Sequence, residues 1–219
     1  MGIRYSGGIV ATGGIKTEFV PISSTIVENP SSWDPLDQSD DITLSNNNLT
    51  AAGNINWSSV QALGAQSTGK YYFEIGDIVR EPGFHVIGIG RDDMSNSRFL
   101  GDSDNSGDAR GFISNGDSIS AVQARVAYGA PWGDGGASVV SIAVDLDIGS
   151  VWFASDGVWG AGATISDVEN GINAAHTGLS GSYKPSGSLF DASDFTANFG
   201  GSAFAQTVPA GFSEGWPAT

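Results

Sequence analysis

Ser138 to Gly160 reads SVVSIAVDLDIGSVWFASDGVWG, and its punctuation decides the fold. Val140, Ile142 and Val144 alternate with smaller residues, the period of a strand with one buried face. Asp145-Leu146-Asp147-Ile148-Gly149 interrupts that run, and Val151 to Phe153 resumes it. Asp156-Gly157 then supplies two residues that tolerate the positive φ angles of a tight hairpin turn. The stretch therefore predicts three short strands joined by two turns. No window elsewhere sustains a 3.6-residue period, so the chain is expected to be overwhelmingly β, with no helix longer than about two turns.

Composition supports this and excludes several function classes. A chain of 219 residues can bury one substantial core, and a sandwich of that length is ordinarily one domain. Its 32 glycines, about twice the average share, suit many strands and tight turns. A formal charge of -15 leaves no basic stripe to replace counterions on phosphate, so nucleic acid is not an expected partner. No cysteine occurs, which removes disulfides and thiolate metal sites. The opening MGIRYSGGIVATGGIK has no basic region leading into an unbroken apolar run, and no stretch approaches the roughly 20 apolar residues of a span. Neither a secretion signal nor membrane insertion is expected.

Charge divides the chain. Within residues 1–32, Arg4 and Lys16 cancel Glu18 and Glu28, so the whole excess lies in 33–219. Gly7-Gly8-Ile9-Val10-Ala11-Thr12 is echoed by Gly13-Gly14-Ile15-Lys16-Thr17-Glu18, too few copies for a solenoid. Residues 1–32 read as an extended, glycine-hinged arm. Its apolar residues, among them Ile3, Tyr5, Ile9, Val10, Ile15 and Phe19, are costly to leave in water and imply packing against another surface, such as another chain. From Trp33 onward, short strands over 42–45, 49–52 and 57–63 flank a polar Asn46-Asn47-Asn48 turn. Residues 98–110 (RFLGDSDNSGDAR) read as a surface loop with no packable face, and 160–188 as loop with one helical turn near 167–172.

The Asp-Leu-Asp, Val-Trp-Phe and Asp-Gly-Val-Trp signals resemble the core signature of the SPRY domain family. Gly69 to Ile75 (GKYYFEI) and Val86 to Gly90 (VIGIG) resemble its earlier strands, Phe195 to Gly200 (FTANFG) its late strand, and Pro209 to Phe212 (PAGF) its close. In order and spacing these pieces cover Trp33 to Trp216. The resemblance implies an all-β, antiparallel, jelly-roll-related β-sandwich over 33–219 that binds a partner and is not an enzyme. Residues 83–136 are longer and richer in Gly, Asp and Ser than the family pattern, so loop-borne binding residues do not carry over there.

Asp102, Asp104 and Asp108 place carboxylates near a glycine as in the first half of a calcium loop, but the twelfth position is Ile113 instead of a bidentate Glu. An irregular calcium site stands there against a solvated acidic turn, and no other cofactor is expected. Asp145 and Asp147 could form a glycosidase pair, yet they sit where a strand ends and suit turn chemistry. The two histidines, His85 and His176, complete no triad, and no catalytic residue is assigned. Tyr128, Trp132 and Asp134, on a Gly/Pro loop, form a candidate exposed recognition loop for a sugar ring, whereas Trp152, Trp159, Phe195 and Phe199 read as core.

The cysteine-free acidic sandwich with an apolar arm resembles SPRY-like proteins of tailed bacteriophages. That resemblance implies a virion structural protein on tail or capsid, a homo-oligomer that contacts other virion proteins through the arm and host-surface glycan through its loops. An intracellular peptide-binding adaptor and a sandwich glycosidase are the rival expectations.

Overall fold

The computed structural model describes residues 26–79, 85–102, 109–120, 123–133 and 139–219. The arm residues Ile3, Tyr5, Ile9, Val10, Ile15 and Phe19 and the loop residues Asp104, Asp108 and Asp134 lie outside them.

Two sheets pack face to face. One has seven strands in the order β1 (Trp33–Gln38), β4 (Ser58–Ala62), β13 (Tyr183–Leu189), β6 (His85–Arg91), β7 (Ala109–Ile113), β8 (Asp117–Ser120) and β9 (Gln123–Ala127). The other runs β12 (Val158–Trp159), β11 (Ser150–Ser155), β10 (Val140–Asp145), β5 (Lys70–Val79), β14 (Asp194–Asn198), β3 (Thr50–Ala52) and β2 (Thr43–Ser45). Its eighth strand, β15 (Ser213–Glu214), lies parallel to the start of β5, while β14 pairs antiparallel with the far half of the same strand. The one α-helix among the described residues, α1 (Ile165–Glu169), falls slightly before the expected 167–172.

The quoted stretch folds as β10, β11 and β12. Asp156 and Gly157 adopt φ of 49° and 78° in the turn between β11 and β12, and Asp156 Oδ1 accepts the Val139 amide at 2.8 Å, which ties that turn to the start of β10. Asn46, Asn47 and Asn48 all sit in the left-handed region, φ 51°, 54° and 61°, a conformation that Asn tolerates better than other non-glycine residues. Inward residues alternate along each strand as the pleat requires: Phe73 and Ile75, Ile142 and Val144, Val151 and Phe153 meet Val60, Ile87, Ile89 and Phe112 of the other sheet, all buried.

Two loop assignments are corrected. Within the expected loop 160–188, Tyr183–Leu189 is an interior strand between β4 and β6. Its sequence, YKPSGSL, lacks apolar alternation because its outward side chains serve hydrogen bonds: Ser188 Oγ lies 2.7 Å from Ser59 Oγ and accepts the Leu100 amide at 2.8 Å. Gly187 passes beneath the Phe195 ring, where a Cβ would come within 2.3 Å of Cζ. Pro185 lies just before the β4 pairing begins at Ser186, so no ladder bond to β4 is asked of its nitrogen. Within 98–110, Leu100 is fully buried against Val86 and Ile119, and Ala109 and Arg110 belong to β7.

The described end of the expected arm lies on the sandwich. Ile26 bridges Glu214, Pro30 bridges Pro217, and the Ser31 amide donates to the Trp216 carbonyl at 2.8 Å. Trp216 is fully buried against Tyr71 and Phe73, with its indole N–H on the Gly64 carbonyl at 2.6 Å. The 26–32 stretch thus pairs with the C-terminal segment.

Candidate binding surface

Tyr128 and Trp132 are not exposed, which corrects the expected recognition loop. Trp132 is 2% accessible, with its ring 5.8 Å from Phe112 and 5.9 Å from His85, and its amide donates to Ser114 O at 2.8 Å. The Tyr128 ring meets Phe112 and Phe153 edge-on at 5.8 and 6.1 Å, and burial pushes its phenol up to about 12. The physical reason is where the segment is held: the Tyr128 and Gly129 amides donate to Gly116 O and the Trp132 amide to Ser114 O, which lays 128–132 along the β7–β8 turn with both rings against Phe112. The Gly and Pro residues that signal a surface loop let the backbone turn tightly enough to drive both rings inward. Buried rings offer no face to a sugar.

Asp145, Asp147 and His85 resolve into ordinary structure, and of the expected calcium site only Asp102 is described. Asp102 pairs with Arg98 at 3.5 Å, and no cluster of three or more metal-ligating side chains occurs among the described residues. Asp145 Oδ1 accepts the amides of Asp147 and Ile148 at 3.1 and 3.3 Å, its Oδ2 lies 2.8 Å from Lys70 Nζ, and Asp147 Oδ1 accepts the Gly69 amide at 2.8 Å. Both acids therefore organise the β10–β11 turn and its neighbour. His85 is buried, its Nε2 lies 3.1 Å from Val79 O, and burial lowers its pKa to about 4. Trp152, Trp159, Phe195 and Phe199 are core, as expected.

A surface that the sequence reading did not single out lies on the outer face of the larger sheet. Along β5, Tyr72 and Glu74 point away from the main core and share that face with Ser141 and Ala143 of β10 and Trp152 and Ala154 of β11. Two segments cover it. On one side, Ala163, Ile165 and Val168 pack down, and the Trp152 indole donates to Ile172 O at 2.8 Å. On the other, Phe204 meets Tyr72 edge-on at 5.0 Å, and Val208 and Phe212 extend the contact.

The second segment is a strap pinned to the sheet. Glu74, 4% accessible, accepts the Ala205 amide on Oε2 and the Gln206 amide on Oε1, both at 2.8 Å, and the Tyr72 hydroxyl on Oε1 at 2.7 Å. The Tyr72 hydroxyl also lies 2.9 Å from Ser141 Oγ, and burial raises its pKa far above the ordinary phenol value, so it stays protonated. Asn198 holds the start of the strap, its amide donating to Ser202 O and Ala203 O at 3.2 and 3.1 Å. The opposite wall is set by a capping box, in which Thr164 Oγ1 accepts the Asp167 amide while Asp167 Oδ2 accepts the Thr164 amide at 2.7 Å.

Between strap and capping box lies a recess of about 420 Å³, with Tyr72 and Ser141 on its floor and Trp159, Ile165, Gln206 and Thr207 among its walls. A second, of about 320 Å³, lies beyond the strap beside Asp77, Thr196 and Asn198. Near it burial and the Asp77 charge raise the pKa of Asp194. A lone acid at an outward position of an apolar strand, Glu74 in KYYFEI, was the available sequence signal for this face.

No protein-family model matches the chain, and no curated protein matches it. Among solved structures, the SPRY domain of human HERC1 superposes with a TM-score of 0.58 at 11% identity, covering 76% of this chain and 96% of that one. The protein therefore has a SPRY-like β-sandwich fold.

Proposed function

We propose that this chain is a non-enzymatic recognition protein of a bacteriophage particle, attached through its N-terminal segment and presenting the sandwich to a host-surface glycan. The observation that carries this reading is how the chain is divided. A neutral, apolar segment leads into a domain that bears the entire charge of -15, and residues 26–31 are fastened to 214–217 at one place on that domain. Such a segment supplies apolar attachment, and the acidic sandwich stays soluble and free to bind. A non-enzymatic role is supported by the carboxylates: Glu74 is taken up by three donors, and Asp145 and Asp147 by turn amides. A SPRY-like fold is a scaffold on which binding surfaces are built, and the recesses above provide candidates.

Mass spectrometry of purified particles tests the reading. The chain is expected among the particle proteins, and a variant lacking residues 1–25 is expected to fold yet be missing from them. Absence of the full chain from particles would overturn the proposal. Release of reducing sugar from polysaccharide would replace it with a glycosidase.

A further inference from the structure

We propose that Lys184 and Asn96 join in an intramolecular amide cross-link, formed once after folding with Asp37 as the proton carrier. It is independent of the recognition role above. Three elements bring the groups together. Lys184 stands on the outward face of β13, Asp37 on β1, and Asn96 in the segment whose Met94 and Leu100 pack on that face. The Lys184 ammonium donates to Asp37 Oδ2 at 2.6 Å, and the Asn96 side-chain amide donates to Asp37 Oδ1 at 2.5 Å. Amine and amide thus sit on the two oxygens of one carboxylate, separated by its width and two hydrogen bonds.

The other end of the amide is what an ordinary ion pair leaves unexplained. Asn96 Oδ1 is buried and has no hydrogen-bond partner among the described residues, a costly state for an acceptor. Proton transfer from the Lys184 ammonium to Asp37 frees the amine as a nucleophile and gives Asp37 a donor for that oxygen, which polarises the carbonyl. Nζ then bonds to Asn96 Cγ, the Cγ–Nδ2 bond breaks, and Asp37 hands its proton to the departing Nδ2. The second proton shed by Nζ leaves with the ammonia as ammonium. Asp37 ends as it began, and no oxidant or further reactant is required.

The groups are also held for the reaction. β13 is an interior strand, the Asn96 carbonyl accepts the Ser59 amide at 3.0 Å, and the Ser39 amide donates to Ser59 O at 2.9 Å just past Asp37, so β4 anchors both flanks. Fixed geometry of this kind supplies effective molarities of up to about 10⁵–10⁸ M, and the step need occur only once per chain. The Lys184 and Asp37 side chains are 15% and 24% accessible, sheltered from water yet open enough for ammonia to escape. Lys70 and Asp145 provide the contrast: their ion pair is 2.8 Å, but the other Asp145 oxygen accepts two backbone amides, so no side-chain amide is placed beside the amine. In a chain without cysteine, the cross-link would fasten the covering segment to the sheet as a disulfide does elsewhere.

Mass spectrometry of the purified full chain is the test. The intact mass is expected to be one ammonia below that of the open sequence, and a tryptic digest should yield Asp92–Arg98 linked to the fragment that carries Lys184. Lys184→Arg and Asp37→Asn, which preserve side-chain size, should give the full mass and separate fragments. Both should also migrate more slowly than the parent on a denaturing gel, with or without reductant. If either variant fails to fold, the linked fragment of the parent chain still decides. Separate fragments from a parent chain of full mass would overturn the cross-link. Loss of ammonia without a linked fragment, the mark of a succinimide, would overturn it too, as would a link formed equally well in Asp37→Asn.

Discussion

Replacing Glu74 with alanine should detach the 202–207 strap from the sheet. The carboxylate accepts three hydrogen bonds of 2.7–2.8 Å at a position 4% accessible, and two come from backbone amides 131 and 132 residues away in sequence. A hydrogen bond to a charged group contributes about 1.5–3 kcal/mol. Simple addition overstates the loss, because a released strap returns the Ala205 and Gln206 amides to water, and Tyr72 keeps Ser141 as a partner. The net cost expected for Glu74→Ala is therefore about 3–4 kcal/mol. Glu74→Gln keeps the shape but turns an NH2 group toward donors, and should cost about 2 kcal/mol. Urea denaturation gives the loss as a fall in midpoint. Amide hydrogen exchange locates it, since protection at Ala205 and Gln206 should fall in Glu74→Ala well before protection in β10. A loss below about 1 kcal/mol with unchanged exchange at those two amides would refute the argument that Glu74 pins the strap.

Trp132→Ala should cost about 3–5 kcal/mol, the loss typical of a truncated core indole; a near-neutral urea midpoint would put the ring back at the surface. Gly187→Ala places a Cβ 2.3 Å from the Phe195 ring and should destabilise by about 1–3 kcal/mol, checked by thermal unfolding. His85 titrates at about 4 in the folded chain against 6.5 when unfolded, so between those values the unfolded state binds more protons. Its contribution is full above pH 6.5 and is lost as pH falls toward 4, by up to about 3 kcal/mol. His85→Phe should flatten that part of the stability profile measured by urea midpoints, and an unchanged profile would assign the acid sensitivity elsewhere.

The elements legible in the sequence are those whose determinants are local. β10, β11 and β12 follow from alternation plus one Asp-Gly turn, and the left-handed Asn46-Asn47-Asn48 turn follows from the tolerance of one residue type. β13 was illegible for a physical reason. Its outward positions hold Ser186 and Ser188, bound by Gln61 and by Ser59 and Leu100, and its Gly187 exists to let Phe195 approach. Each of those requirements comes from a distant part of the chain. A strand whose side chains answer hydrogen bonds from a covering loop carries no apolar period to read. Trp132 failed in the opposite direction, because Gly and Pro report how sharply the backbone turns and not which way the ring between them points.

The candidate site was the least legible part because neither of its walls is distinctive alone. Gly201 to Thr207, GSAFAQT, would suit almost any surface connection. It becomes a wall only because Glu74 stands beneath it, and Glu74 is marked in sequence only as an acid at an outward position of an apolar strand. Adding a cover to a sheet of a sandwich has two effects at once. It buries Tyr72, Trp152 and Phe212 in a second apolar cluster, and it leaves uncovered whatever lies between the covering segments. The recess above Tyr72 and Ser141 is that gap. Its depth is fixed by the carboxylate that holds the strap: a substitution that frees the strap should unfold the chain more easily and also open the recess.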